Sequence, residues 1–202
     1  VSSRGGTQLT PFEIDVANYE ENRHFFLSQY FRDRYDDAMQ TLPNLTTGIK
    51  INRVEVWVTN KSGTTTNSRN IVAFTDLGEG KHISNSRIWS GTGMAVPSNM
   101  ANDEYSTLVA NIDSASRSVD LVTNRLEAMP GLVGGIDYEK LAAARLLNSS
   151  EYTVNTALGY ISLKTALQTD QVLAVAYEYT YGGRTYRVGE FASDHTNATE
   201  AL

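Results

Sequence analysis

Three features of the sequence predict an α+β domain in which an antiparallel sheet carries one long helix and one or two shorter ones. The last third holds apolar runs with strand periodicity around a Gly-Gly turn. The middle holds an apolar stripe at alternating steps of three and four residues. Strand-like and helix-like segments follow one another in the order β, α, β, β, α, α, β, β, β, without the regular β-α alternation of a parallel sheet.

Residues 1–10 are small and polar and read as a mobile end. Phe12, Ile14 and Val16 then alternate with Glu13 and Asp15, the period of a strand with one buried face. Over residues 22–42 the spacing of Leu27, Phe31, Tyr35, Ala38 and Leu42 is helical. Arg32 with Asp36 and Arg34 with Asp37 are placed for ion pairs on the outer face, and Pro43 supplies the stop. Residues 49–59 read as a strand whose parity slips. Ile49 and Ile51 share one face while Val54, Val56 and Val58 share the other, so a bulge is expected at Asn52-Arg53.

A polar connection over 60–70 leads into a short strand over 71–77, and residues 78–99 form a loop that still has Ile83, Ile88, Trp89 and Val96 to bury. The stripe Tyr105, Leu108, Ile112, Ala115, Val119, Val122, Leu126, Met129 predicts a long amphipathic helix, with serines and Asp113 marking a point where it can break. A second helix is expected over 138–147, capped by Asp137. Strands follow over 160–167 and 172–181, the latter apolar at both parities like a central strand. The run Tyr181-Gly182-Gly183-Arg184 signals a two-residue hairpin that faces Tyr181 with Arg184, Tyr179 with Tyr186 and Tyr177 with Val188. Residues 11–192 are thus expected to form one domain, with a second mobile end over 193–202.

Composition narrows the function. The chain has 202 residues, 41% of them hydrophobic, a formal charge of −6 and no cysteine. Thiolate metal sites and disulfide scaffolds are therefore excluded. Residues 1–100 carry ten basic and ten acidic groups and residues 101–202 seven and thirteen, so neither half has the basic footprint of a nucleic-acid binder. No apolar run reaches the length of a membrane-spanning helix, and the start at Val1 suggests a processed protein or a piece of a longer one.

Motifs for chemistry are weak. His24, His82 and His195 lie far apart, with no second ligand at metal spacing. Asp76-Leu77-Gly78-Glu79-Gly80 has acids and glycines but lacks the spaced donors of a calcium loop. Gly91-Thr92-Gly93 lacks the third glycine and the lysine of a phosphate loop, and there is no Gly-x-Ser-x-Gly elbow. No cofactor is expected. The aromatic run His24-Phe25-Phe26-Leu27-Ser28-Gln29-Tyr30-Phe31 is the unusual feature, because its rings point to more than one side and need a second surface.

Several long runs carry a family resemblance. Asn22-Arg23-His24-Phe25-Phe26-Leu27-Ser28-Gln29-Tyr30-Phe31-Arg32-Asp33 is followed by Ile51-Asn52-Arg53-Val54-Glu55-Val56-Trp57-Val58-Thr59-Asn60 and by Arg69-Asn70-Ile71-Val72-Ala73-Phe74-Thr75-Asp76-Leu77-Gly78-Glu79. Further on come Leu158-Gly159-Tyr160-Ile161-Ser162-Leu163, then Val172-Leu173-Ala174-Val175-Ala176-Tyr177-Glu178-Tyr179-Thr180-Tyr181, and Tyr186-Arg187-Val188-Gly189-Glu190-Phe191. From about Leu9 to Phe191 the chain resembles the SprA family, also called Sov. These are the giant outer-membrane translocons of type nine secretion in Bacteroidota, linked to gliding motility in some members.

The resemblance implies an excised internal domain of a many-stranded barrel that passes folded cargo and is gated by partner proteins. It brings no catalytic residues. The chain lacks the succession of roughly ten-residue alternating strands of a barrel wall, so it is expected as an insert on the cell-surface or periplasmic side that does not itself enter the membrane.

The expected function is therefore a non-enzymatic structural or interaction domain that contacts the rest of the barrel, gating or plug proteins, or secreted cargo. The candidate contact residues are Phe25, Tyr30, Trp57, Trp89, Tyr179, Tyr181 and Arg184, since aromatics and arginine dominate interface energetics. Two alternatives stand beside it. A surface adhesin or carbohydrate-binding module would use an exposed Trp89 and the tyrosine hairpin for stacking. An envelope hydrolase would need a cleft with at least two carboxylates of raised proton affinity.

Overall fold

In the structure, a computed structural model, residues 13–195 are described apart from 14, 44, 46, 64, 87 and 88. Of the strand expected over residues 12–16, Phe12 and Ile14 lie outside the described residues. Val16 begins a 3₁₀ turn, Val16–Asn18, and is 88% exposed. Of the mobile ends expected over 1–10 and 193–202, residues 1–10 and 196–202 lie outside them too, whereas Ala192–Asp194 forms a 3₁₀ turn followed by His195.

The elements are β1 His24–Phe26, α1 Gln29–Asp33, α2 Tyr35–Met39, β2 Ile49–Val58, β3 Ser68–Phe74, α3 Glu104–Asn111, α4 Val119–Glu127, β4 Tyr138–Leu146, β5 Tyr152–Asn155, β6 Tyr160–Leu163, β7 Leu173–Tyr181 and β8 Arg184–Val188. The class is α+β. Five antiparallel strands run in the order β3-β4-β2-β7-β8, and three more in the order β1-β6-β5. β2 and β4 share only the pairs Trp57↔Leu146 and Val58↔Arg145. The larger sheet is joined there at one end and curls into a half-barrel.

β2 shows why the parity slip is needed. Its register against β7 shifts between Ile51 and Arg53. The shift lets Ile49, Ile51 and Val56, with Val54 beside them, face one core with Leu27, Phe31, Ile161, Leu163, Tyr177, Tyr179 and Val188, while Trp57 joins Ile71, Leu141 and Ala144 on the other side. The β7–β8 hairpin pairs as its Gly-Gly turn dictates: Tyr181↔Arg184, Tyr179↔Tyr186 and Tyr177↔Val188.

Three helical expectations are corrected. Residues 24–26 leave the helix expected over 22–42 and pair with β6, and the rest breaks at Arg34, whose φ of −103° and ψ of −2° separate α1 from α2. The long helix over 105–129 is two helices. Asp113 turns extended and its carboxylate accepts the Ser116 N–H at 2.8 Å, starting a 3₁₀ turn, Ser114–Arg117; the chain re-enters helix after Ser118. Short polar side chains here offer the backbone a competing partner. Leu108, Ile112, Val122, Leu126 and Met129 still share one core against Val72 and Tyr138, whereas Val119 is 42% exposed.

The helix expected over 138–147 is strand β4. Its buried positions Leu141 and Ala144 fall on one face three residues apart because Ala143 has φ +49° and bulges against β3, its N–H donating to Asn70 Oδ1 at 2.9 Å, whereas Tyr138 faces the other cluster. Alanine-rich sequence favours helix, but β3 pairs with it along its length and tertiary pairing overrides that preference. Asp137 caps no helix; its carboxylate accepts the Val133 N–H at 2.7 Å.

Candidate functional site

α1 and α2 stand against the end of the larger sheet where β2 begins and β7 ends, and between them lies a half-open cleft of about 270 Å³. Its walls include Tyr30, Arg34, Tyr35 and Asp37 on the helical side and Ile49, Leu158 and Tyr181 opposite. Local chemistry sets this geometry. Gly159, at φ +68°, gives its carbonyl to the Leu27 N–H at 2.9 Å and lets the Phe31 ring lie where a Cβ would be, with ring carbons 2.4 Å from that position. Phe31 packs edge-on to Tyr177 and Tyr179, with centroids 6.1 and 5.7 Å away, which fixes α1 on the core. One helical turn along, the Arg34 guanidinium lies 3.8 Å from the centroid of Tyr30. Burial pushes the Tyr30 hydroxyl up; Arg34 opposes the rise and Tyr181 adds to it.

Among the described residues neither the Arg34 nor the Asp37 side chain has an ion pair or hydrogen bond, so the expected pair between them does not form. Arg32 and Asp36 are not paired either. The cleft thus offers ring faces, one cation held by a ring and one carboxylate.

The structure brings together two of the seven expected contact residues here, Tyr30 and Tyr181, with Arg184 exposed across the hairpin from Tyr181. Tyr179 lies beneath them, fully buried, and donates its hydroxyl to Pro97 O at 2.6 Å. Phe25 is half-buried against the same core from β1. Trp57 and Trp89 are corrections: at 6% and 4% exposure they are core residues of two other clusters, and Trp89 has no ring face to offer a sugar. Arg34, Tyr35 and Asp37 were missed. Arg34 sits four residues after Tyr30, a helical spacing that places a cation over a ring, but the same residue also matched an i,i+3 ion pair.

Two further polar centres serve the fold. Arg117, just before α4, makes a bidentate bond to Glu190 at 2.7 and 2.9 Å, joined by the Tyr105 hydroxyl at 3.0 Å and His195 at 3.0 Å. Burial alone would raise Glu190, but the Arg117 hydrogen bonds and charge hold its carboxyl below the usual range. The other centre is acidic. Glu79, whose Oε1 accepts the Gln29 N–H at 3.0 Å at the start of α1, is pushed up to about 7 by burial and then by Asp76 and Asp33. It lines a second cleft of about 220 Å³ on the far side of Tyr30 and Arg34. Glu104, also raised, is sealed from solvent. The open cleft with two such carboxyls that a hydrolase requires is therefore not formed by this pair.

Among the described residues no three His, Cys, Asp or Glu side chains are placed to hold a metal ion, and no helix is long and apolar enough to cross a membrane. Comparison with protein-family models and with curated proteins gives no match to this chain.

Proposed function

We propose that the chain is a non-enzymatic interaction domain of an outer-membrane protein translocon of the SprA type, exposed as an insert at the cell surface or in the periplasm. Its work is to contact polypeptide: the barrel that carries it, a gating or plug protein, or secreted cargo. The resemblance over the runs quoted above supplies the family. The observation that carries the contact role is the cleft at Tyr30, Arg34 and Tyr181, where tyrosine faces and a guanidinium without an ion partner stand open on a rigid support. Tyrosine and arginine in such a position are the residue types that anchor protein interfaces.

The test is site-specific cross-linking in cells that express the full-length parent. A photoreactive residue replacing Tyr30 or Tyr181 is expected to capture a polypeptide identifiable by mass spectrometry, whereas one replacing the buried Trp89 is not. Equal capture from all three positions would reject the cleft. Turnover of a glycan or peptide substrate by the purified domain would reject the non-enzymatic reading.

A further inference from the structure

Glu104 opens α3 with a side chain that is 0% exposed and whose two carboxylate oxygens have no hydrogen-bond partner. Every charged group that acts on it is an acid: Asp76 from the end of β3, Asp137 from the start of β4, and Asp103 beside it. Asp76 and Asp137 are themselves 1% exposed. Three buried carboxylates thus share one region in which, among the described residues, no cationic side chain answers Glu104. An ionised carboxylate without donors or a counter-charge is too costly to keep dry, so something must neutralise it.

The neighbours decide what does. The oxygens of Asp76 are committed to the N–H groups of Ile83, Ser84 and Asn85 and to the Ser84 hydroxyl at 2.9 Å. Asp137 takes the Val133 N–H and, at 3.3 Å, the same Ser84 hydroxyl. Both acids thus collect donors, Asp76 from three backbone N–H groups and a hydroxyl and Asp137 from one of each. Among the described residues no three His, Cys, Asp or Glu side chains here are placed to hold a cation. Glu104 collects no donor at all.

We propose that Glu104 is a neutral carboxylic acid in the folded protein and that its proton is a lock on the segment 76–104. Burial, then Asp76, Asp137 and Asp103, pushes this carboxyl up to about 8. Asn102 ties the same segment together, donating to the carbonyls of Asp76 and Glu79 at 2.9 and 3.1 Å and accepting the Glu104 N–H at 2.9 Å. Loss of the proton puts a third anion beside Asp76 and Asp137, which loosens this knot and, through Glu79, the hold on the first residue of α1. The groups facing Glu79 are Asp76, Asp33, Tyr177 and Tyr179, with Lys81 paired to Asp33 at 3.7 Å. The device is alkaline-sensitive and stands independently of what the cleft binds.

The test is equilibrium unfolding of the full chain from pH 5 to 9, wild type against Glu104→Gln. The folded value lies above the unfolded one, so stability is complete below about 4.5 and falls as pH rises. Each pH unit up to about 8 should raise the wild-type unfolding constant about tenfold more than that of the variant, after which the two run parallel. Contributions from Glu79 and the histidines are common to both. Superimposed profiles would overturn the proposal, as would calcium, magnesium or manganese chloride raising the wild-type midpoint but not the variant's. If the variant fails to fold, carbon-13 titration of the wild-type glutamate carboxyls decides. The assigned Glu104 resonance with its midpoint well above 4.5, apart from that of Glu79, supports the lock; Glu104 titrating near its ordinary 4.5 rejects it.

Discussion

Replacing Gly159 by alanine tests the packing that builds the cleft wall. At φ +68° a side chain strains the backbone by about 1–2 kcal/mol, and the new methyl would meet Phe31 ring carbons at 2.4 to 2.8 Å. Phe31 is 2% exposed and wedged edge-on against Tyr177 and Tyr179, so it has nowhere to retreat. Forcing such a group aside costs about 1–3 kcal/mol. Lower entropy of the unfolded chain returns about 0.4–1 kcal/mol. The net expectation is a loss of about 2–4 kcal/mol. Gly182→Ala is the control: its φ is +57°, but nothing lies within 4 Å of the added carbon, so only the backbone part applies, about 1 kcal/mol. Urea unfolding of both variants separates the two contributions. Equal losses would refute the argument that Phe31 is immovable, and with it the account of how α1 is held beside the cleft.

Three other outcomes follow from the polar contacts. Arg117→Met strands the Glu190 carboxylate, which is mostly buried, and should cost about 3–5 kcal/mol in the same assay. Because Arg117 holds Glu190 below its unfolded value, that stability is present above about pH 4.5 and is lost as pH falls through the folded value; the acid limb of the stability profile should flatten in this variant. Tyr179→Phe leaves the Pro97 carbonyl without its 2.6 Å donor in a buried site, for a loss of about 1–3 kcal/mol by chemical denaturation. Arg34→Ala removes a cation stacked on an accessible ring and should change stability by less than about 1 kcal/mol while abolishing any cross-link captured at Tyr30; a large fall in the melting temperature would mark Arg34 as a core support instead.

The local signals that proved reliable were those with a single physical solution. Gly182-Gly183 admits positive φ at both positions, and the pairing of β7 with β8 follows from it. The parity slip in β2 required a bulge because one face of the strand is buried. Signals compatible with two solutions failed. The spacing of Tyr138, Leu141 and Ala144 suits a helix as well as a bulged strand buried on both faces, and only the presence of β3 alongside selects the strand. The stripe from Leu108 to Met129 predicted a shared core correctly, but hydrogen bonding by Asp113 divides the helix that carries it.

Exposure divides the candidate site in the same way. Composition pointed to rings and arginine as a class, and of that class the structure puts Tyr30 and Tyr181 in the cleft, whereas Trp57 and Trp89 carry the same signal and are core. What the sequence determined by itself was the α+β class, the hairpin register and the absence of thiolate chemistry, because turns, alternation and composition act over a few residues. The tertiary structure alone decided which rings face water, that Arg34 stacks on Tyr30 and leaves Asp37 unpaired, and that Glu104 is sealed beside Asp76 and Asp137. Those outcomes depend on which distant segments exclude solvent from a side chain, and burial is a property of the assembled chain.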